Sequence, residues 1–227
     1  MTKVILFGAS GMVGQGVLRE CLLDPAVEGV LVVGRTATGQ HHGKLREITR
    51  GDVADLSSVE EELRGYDACF FCLGVSSAGM KEADYRRVTF DLTLAVAGTL
   101  ARLNPGMTFI YVSGTGTDST EKGRVMWARV KGETENALLK LPFKAAYMFR
   151  PGFIQPLHGI VSKTRLYRVL YAVAGPLASL LRGIMPRWVT TTEKVGRAMI
   201  RVAERGAPKT FLENRDINEL AAEAHSP

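Results

Sequence analysis

The first residues that could do chemistry form a glycine-rich turn near the start of the chain. Three glycines are spaced by three residues in the segment Gly8-Ala9-Ser10-Gly11-Met12-Val13-Gly14. The segment follows the apolar run KVILF and precedes a stretch with helical spacing, so backbone N–H groups at a helix N-terminus would face an anion. Gly8 permits the turn, Gly11 lets the backbone approach a pyrophosphate, and Gly14 lets the helix pack on the strand. The pattern predicts a dinucleotide phosphate site formed by Gly8, Ser10, Gly11, Met12, Val13 and Gly14.

The residues after the next two apolar runs indicate which dinucleotide binds. Arg35 follows the run Val30–Val33, at the place where NAD-binding proteins carry an acidic residue for the ribose hydroxyls. A guanidinium at this place suits a 2′-phosphate, and Thr36 adds a hydroxyl donor. Asp52 and Val53 come just after the third apolar run, where we expect them to meet the adenine. We therefore predict NADP(H) as the cofactor, with NADPH preferred over NADH.

Strand-like and helix-like segments must hold these residues in place, and they alternate along the first 150 residues. Apolar β-rich runs predict strands at 3–7, 30–33, 45–49, 67–73, 107–113 and 145–150, with a last edge strand at 209–213. Helical spacing predicts helices at 12–23, 55–64, 83–103, 192–205 and 216–224, and Ser58 with Glu61 forms a capping box in the second of them. The alternation predicts an α/β fold with a doubly wound, mostly parallel sheet.

Charge is distributed unevenly in this chain. It holds 29 Lys and Arg against 23 Asp and Glu, for a formal charge of +6. No acidic residue occurs from Asn136 to Thr192, whereas eight basic residues do, so the rest of the chain sums to −2. This segment suggests a local anionic partner. Nucleic acid is not expected, because the sequence has no recognition motif and no basic stripe interleaved with aromatics.

An uncharged apolar run, Val169–Leu181, lies inside this acid-free segment. It is too short to span a bilayer, which needs about 20 residues. The expected role is a buried helix or a dimer face. Docking of the flanking arginines on an anionic membrane surface is a less favoured alternative.

The length fits a single NAD(P)-binding domain over 1–227, with a cofactor-binding core at 1–155 and a substrate-facing part at 156–227. Three cysteines cannot make a disulfide framework, and no signal peptide is recognisable, so the expected localisation is cytoplasmic. Cys69 and Cys72 lie three apart in a predicted strand and therefore face opposite sides. We expect neither a redox pair nor a metal site.

The segments GASGMVG, VVGR, GDVAD and FFCLG, together with YVSGTG and the KGETE that follows WARV, resemble the extended and atypical short-chain dehydrogenase/reductase superfamily, including its epimerase-like members. The resemblance spans about the first 155 residues and ends at an Arg-Pro-Gly turn. It implies a Rossmann sheet of about seven strands with the nicotinamide over the carboxyl ends of the strands. It also implies cofactor contacts from Leu73, Gly74, Pro151, Gly152 and Phe153.

The resemblance further implies a catalytic Tyr, a Lys four residues later and a Ser. Ser113 and Lys131 match two of these positions, and Lys131 would also bind the nicotinamide ribose. Trp127 stands at the Tyr position. An indole N–H cannot act as an acid near neutral pH, so the proton donor is in question.

Three accounts of the missing Tyr remain open. Tyr111, Tyr85, Lys131 or an ordered water could supply the proton. Hydride transfer could also need only a weak acid, if the carbonyl is activated or the acceptor is a quinone or flavin. In the third account catalysis is lost, and Trp127 stacks on the nicotinamide of an NADPH-binding sensor or regulatory protein. The sequence favours an oxidoreductase acting on a small carbonyl or hydroxyl compound, apolar or anionic, over that regulator and over a sugar-nucleotide epimerase.

Overall fold

The structure is a computed structural model, and it describes residues 1–160 and 188–223. Its nine strands in these ranges form a seven-stranded sheet and a two-stranded sheet. The strands are β1 (Thr2–Phe7), β2 (Val27–Gly34), β3 (Leu45–Thr49), β4 (Ala68–Phe71), β5 (Thr108–Val112), β6 (Ala145–Arg150), β7 (Phe153–Gln155), β8 (Val189–Thr191) and β9 (Phe211–Glu213).

The large sheet has the order β3-β2-β1-β4-β5-β6-β9, and every pairing in it is parallel. This order confirms the predicted Rossmann-type sheet of about seven strands. The order reverses between β1 and β4, and a ligand crevice in such a sheet lies outside the carboxyl ends of the strands at that reversal. The predicted glycine turn directly follows β1, so it lies at this crevice.

Helices cover both faces of the sheet. They are α1 (Met12–Leu23), α2 (Glu82–Arg86), α3 (Leu92–Leu103), α4 (Met126–Leu138), α5 (Thr192–Arg205) and α6 (Asn214–Glu223). One core cluster joins the sheet to α1, α5 and α6, and the other joins it to α3 and α4. The central strands are buried on both faces, which explains why they read as continuous apolar runs. Cys69 belongs to the second cluster and Cys72 packs on the first, so the two thiols do face opposite sides.

Two predicted helices differ from the structure. Residues 55–64 contain two short 3₁₀ turns, Ser57–Val59 and Glu61–Leu63, and no capping hydrogen bond from Ser58. The Ser58 hydroxyl instead accepts a hydrogen bond from Arg50 at 2.5 Å, so the capping-box prediction is wrong. The predicted helix at 83–103 is helical throughout, but a π-helical turn at Arg87–Asp91 lies between α2 and α3.

The C-terminal part of the chain contributes to the main layers. β9 pairs with β6 as an edge strand, and α5 packs against α1. A Cβ atom on Gly16 of α1 would lie 2.5 Å from the Cβ of Thr192, and one on Gly196 would lie 2.8 Å from Cγ of Glu20. The two helix backbones therefore approach each other closely.

Several predictions concern residues outside the described ranges. They include the apolar run Val169–Leu181 and most of the basic residues of the acid-free segment. The substrate-facing role of residues 156–227 stays a prediction. Within the part of the chain that the structure describes, none of the helices combines the length and apolar character needed to cross a membrane.

Candidate functional site

The glycine turn forms a tight cradle between β1 and α1. Gly8 adopts φ +83°, and a Cβ atom there would lie 2.6 Å from the carbonyl carbon of Cys72. The Gly11 N–H donates to the Gly8 carbonyl at 2.9 Å, and a Cβ atom on Gly14 would lie only 2.1 Å from that same oxygen. Side chains at 8 and 14 would therefore push the helix away from the turn. The turn instead places the N-terminus of α1 at the crevice, where its free N–H groups can meet phosphates.

The residues predicted to bind the adenosine part of NADP(H) lie at the carboxyl ends of β2 and β3. Arg35 and Thr36 are exposed immediately after β2, and Arg35 makes no hydrogen bond or ion pair within residues 1–160 and 188–223. Asp52 is exposed and accepts the Ala54 N–H at 2.9 Å, whereas Val53 is buried. These four residues thus lie along one edge of the crevice.

Two further groups of predicted contact residues flank the crevice, one after β4 and one after β6. Leu73 is half-buried and Gly74 exposed just beyond β4, next to the glycine turn. In the turn after β6, the Gly152 N–H donates to Oδ1 of Asn214 and the Phe153 N–H to the Trp188 carbonyl. A nicotinamide carboxamide beside this turn would therefore have to bind carbonyl groups, because these two N–H groups already donate to other residues.

Three residues of α4 lie on one face of the helix, since they are spaced by four: Trp127, Lys131 and Glu135. The Lys131 ammonium donates to the Ser113 carbonyl at the end of β5. Burial lowers the pKa of Lys131 to about 8, and the Glu135 carboxylate opposes that shift. Trp127 is half-buried, and its ring lies over Gly116.

Glu135 is the centre of a buried polar cluster that the sequence did not reveal. Its side chain is fully buried and accepts from the Ser113 hydroxyl at 2.5 Å, from Nε of Arg150 at 3.0 Å and from Nη2 of Arg150. The Ser113 hydroxyl also lies 3.2 Å from the Phe149 carbonyl. It is therefore held by the protein rather than directed freely into the crevice. No local sequence signal marks this acid, because its partners Ser113 and Arg150 are distant along the chain.

The tyrosines considered as alternative acids are both in the core. Tyr111 and Tyr85 are each 1% exposed. Burial raises the pKa of Tyr111 well above its usual value. Because neither phenol reaches the surface of the described protein, we remove both from the set of proton donors.

A second charged cluster lies between α1, α5 and the loop after β7. Glu20, His158 and Glu193 have potential ligand atoms within 4.8 Å of one another. The same carboxylates are already paired: Arg197 lies 3.2 Å from Glu20 and 2.8 Å from Glu193, and Nε2 of His158 lies 2.9 Å from Glu193. The cluster is accounted for as an ion-pair network that joins the two helices.

The sheet order and the glycine cradle define an NAD(P)-binding Rossmann protein. Residues 4–122 match the family described as NAD dependent epimerase/dehydratase. The chain belongs to that family, as the resemblance to extended short-chain dehydrogenases/reductases predicted. The structure is similar to that of the Bordetella bronchiseptica enzyme WbmF in complex with NAD+, with a TM-score of 0.67, 17% identity, and coverage of 98% of this chain and 77% of that one.

Two sequence relatives extend this comparison. The chain is 28% identical to "Protein fmp52-2, mitochondrial" of Aspergillus terreus, over 97% of each chain. It is also 28% identical to "Protein HTATIP2" of Rattus norvegicus, over 67% of this chain and 62% of the relative. The prediction of a cytoplasmic localisation is wrong on this comparison, because the fungal relatives are named as mitochondrial proteins.

Proposed function

We propose that this chain binds NADP(H) and catalyses the oxidation or reduction of a small hydroxyl or carbonyl compound. The observation that carries the proposal is the place of the Lys131 amine, which contacts the end of β5 on the crevice side. β5 lies two strands from β1, so the carboxyl ends of these two strands are about 10 Å apart. A proton donor and a phosphate cradle thus lie at the same edge of the sheet, at the carboxyl ends of its strands.

The residues of the crevice fit a phosphorylated dinucleotide. The cradle between Gly8 and Gly14 holds no side chain, and the N-terminus of α1 supplies N–H donors for a pyrophosphate. Arg35 is exposed at the end of β2, where a guanidinium suits a 2′-phosphate better than a neutral ribose. NADPH bound in this cradle supplies the hydride for reduction of a carbonyl.

Lys131 is the group that we assign to the proton. In reduction its ammonium donates a proton to the carbonyl oxygen and regains one from water, and in oxidation the neutral amine accepts the hydroxyl proton. A pKa of about 8 makes both forms available near neutral pH. Trp127 then packs beside the reacting groups and keeps water from them.

Consumption of NADPH over a panel of aldehydes, ketones and quinones tests the proposal. Lys131→Met should lower kcat at saturating NADPH by about 100-fold or more. The control is Lys140→Met, which removes the same charge from an exposed position just after α4 and should leave kcat within about twofold. Equal activity of the Lys131 variant and the native chain would refute the assignment.

Ser113→Ala distinguishes this assignment from the role that the resemblance implies for the serine. Since the hydroxyl is bound to Glu135, we expect the variant to lower stability while kcat falls less than about tenfold. A loss as large as that of Lys131→Met would show that Ser113 contacts the substrate.

A non-catalytic NADPH-binding sensor or regulator is the second candidate. It is favoured by one observation: an indole occupies the Tyr position and lies over Gly116. Calorimetric titration of the purified chain with NADPH separates the two. Tight binding without turnover over the whole panel would support the sensor, and turnover would exclude it.

A further inference from the structure

Arg50 lies beside Arg35 at the carboxyl ends of two neighbouring strands. In the parallel pairing of β2 and β3, Gly34 is opposite Thr49. The Arg50 N–H donates to the Gly34 carbonyl at 2.8 Å, and this hydrogen bond closes that last pair. Arg35 and Arg50 are thus the next residues of adjacent strands, whose spacing is about 4.8 Å.

The guanidinium of Arg50 is held in place but has an unused donor. Its Nη1 donates to the Ser58 hydroxyl at 2.5 Å, and its Nη2 lies 4.0 Å from Asp55. Its Nε atom is buried and donates no hydrogen bond within the described part of the chain. The Arg50 side chain is 21% exposed, and its Nη2 makes no hydrogen bond within the described residues, so a ligand oxygen can reach this part of the guanidinium.

We propose that Arg50 is the second guanidinium of a 2′-phosphate site, and that Arg35 and Arg50 together bind the adenosine 2′-phosphate of NADP(H). The inference rests on the proposed preference for NADP(H), and it adds a residue for which the sequence analysis predicted no role. A dianionic phosphate has enough oxygens to accept from both guanidinium groups.

The two arginines make different contributions. Arg35 is exposed and has to be ordered by the ligand, whereas Arg50 is held beforehand by Ser58. A group that is already in place loses less conformational freedom on binding and therefore adds more affinity. We expect Arg50 to account for about tenfold or more of the discrimination between 2′-phosphorylated and unphosphorylated ligands.

Calorimetric titration of the full chain with 2′,5′-ADP and with 5′-ADP tests this inference without any turnover. Arg50→Met should weaken binding of 2′,5′-ADP by about tenfold or more and leave that of 5′-ADP within about twofold. The matched control is Arg46→Met, an exposed arginine of the same strand about 13 Å back along β3, which should change neither affinity beyond about twofold.

The outcomes separate the inference from the function on which it rests. If the native chain favours 2′,5′-ADP but Arg50→Met leaves that preference unchanged, the role of Arg50 is wrong and NADP(H) binding stands. If Arg50→Met weakens both ligands equally, Arg50 only stabilises the segment after β3, and this result also overturns the inference. Equal binding of the two ligands by the native chain would overturn both the inference and the preference for NADP(H).

Discussion

Replacing Glu135 with glutamine removes the only negative charge in direct contact with both Ser113 and Arg150 among the described residues. Glu135 is fully buried and the Arg150 side chain is 13% exposed, so water replaces little of the lost interaction. Removing one partner of a buried ion pair costs about 3–5 kcal/mol. Arg150 keeps a second carboxylate, Glu213, at 3.5 Å, which is half-exposed and compensates weakly. We therefore expect a loss of about 3 kcal/mol in the free energy of unfolding.

Urea unfolding followed by circular dichroism measures this loss. For a chain of this size, about 3 kcal/mol corresponds to a decrease in Tm of roughly 6–12 °C. The control is Glu82→Gln, which breaks a partly exposed ion pair of 2.7 Å with Arg129 and should cost less than about 1 kcal/mol.

The double variant Glu135→Gln/Arg150→Met should be less destabilised than the sum of the single variants, because no unpaired charge then remains in the core. A cost of Glu135→Gln no larger than that of Glu82→Gln would refute the reasoning. It would mean that the buried guanidinium does not depend on this carboxylate.

Three further predictions follow from α3 and α4. Gly132→Ala should destabilise the protein by about 1–3 kcal/mol, since the added Cβ would lie 1.8 Å from the Asp118 carbonyl oxygen. Gly98→Ala has open space around the added Cβ and should stabilise α3 by about 0.5–1 kcal/mol. Thermal unfolding of the two variants checks both values. Trp127→Tyr restores a phenol on the face of Lys131 and should raise kcat/KM for carbonyl reduction about tenfold or more, and an unchanged value would contradict this. Reduction should also fall by about tenfold per pH unit above pH 8, because the Lys131 ammonium, with its pKa lowered to about 8, is then lost; a rate that stays level to pH 10 would exclude it as the donor.

The sheet could be predicted from the sequence because its strands are determined locally. Each inner strand is a short apolar run between polar turns, and burial on both faces makes such runs continuous. The helix predicted at 55–64 failed for the opposite reason. The Ser58 hydroxyl accepts from the guanidinium of Arg50, which follows β3, and makes no capping hydrogen bond. Spacing along the chain does not show such a contact with a residue outside the segment.

The candidate site shows the same contrast between local and long-range contacts. The glycine turn is encoded in seven consecutive residues, so its spacing and flanking elements identify it. The contacts of Glu135 join β5, α4 and β6, and nothing in the local sequence marks the acid as buried. The position of Arg50 beside Gly34 depends on the register of β2 with β3, which the sequence also left undetermined.

The close packing of α1 on α5 has a consequence for how the chain folds. Glu20 and Arg197, which contact each other across these helices, are 177 residues apart. During synthesis the helix that carries the glycine turn lacks its packing partner until nearly the whole chain has emerged. Closing so large a loop is slow, and partly made chains expose apolar surface meanwhile. A ribosome-bound chain that ends before Thr192 should therefore be more sensitive to proteases than the released protein.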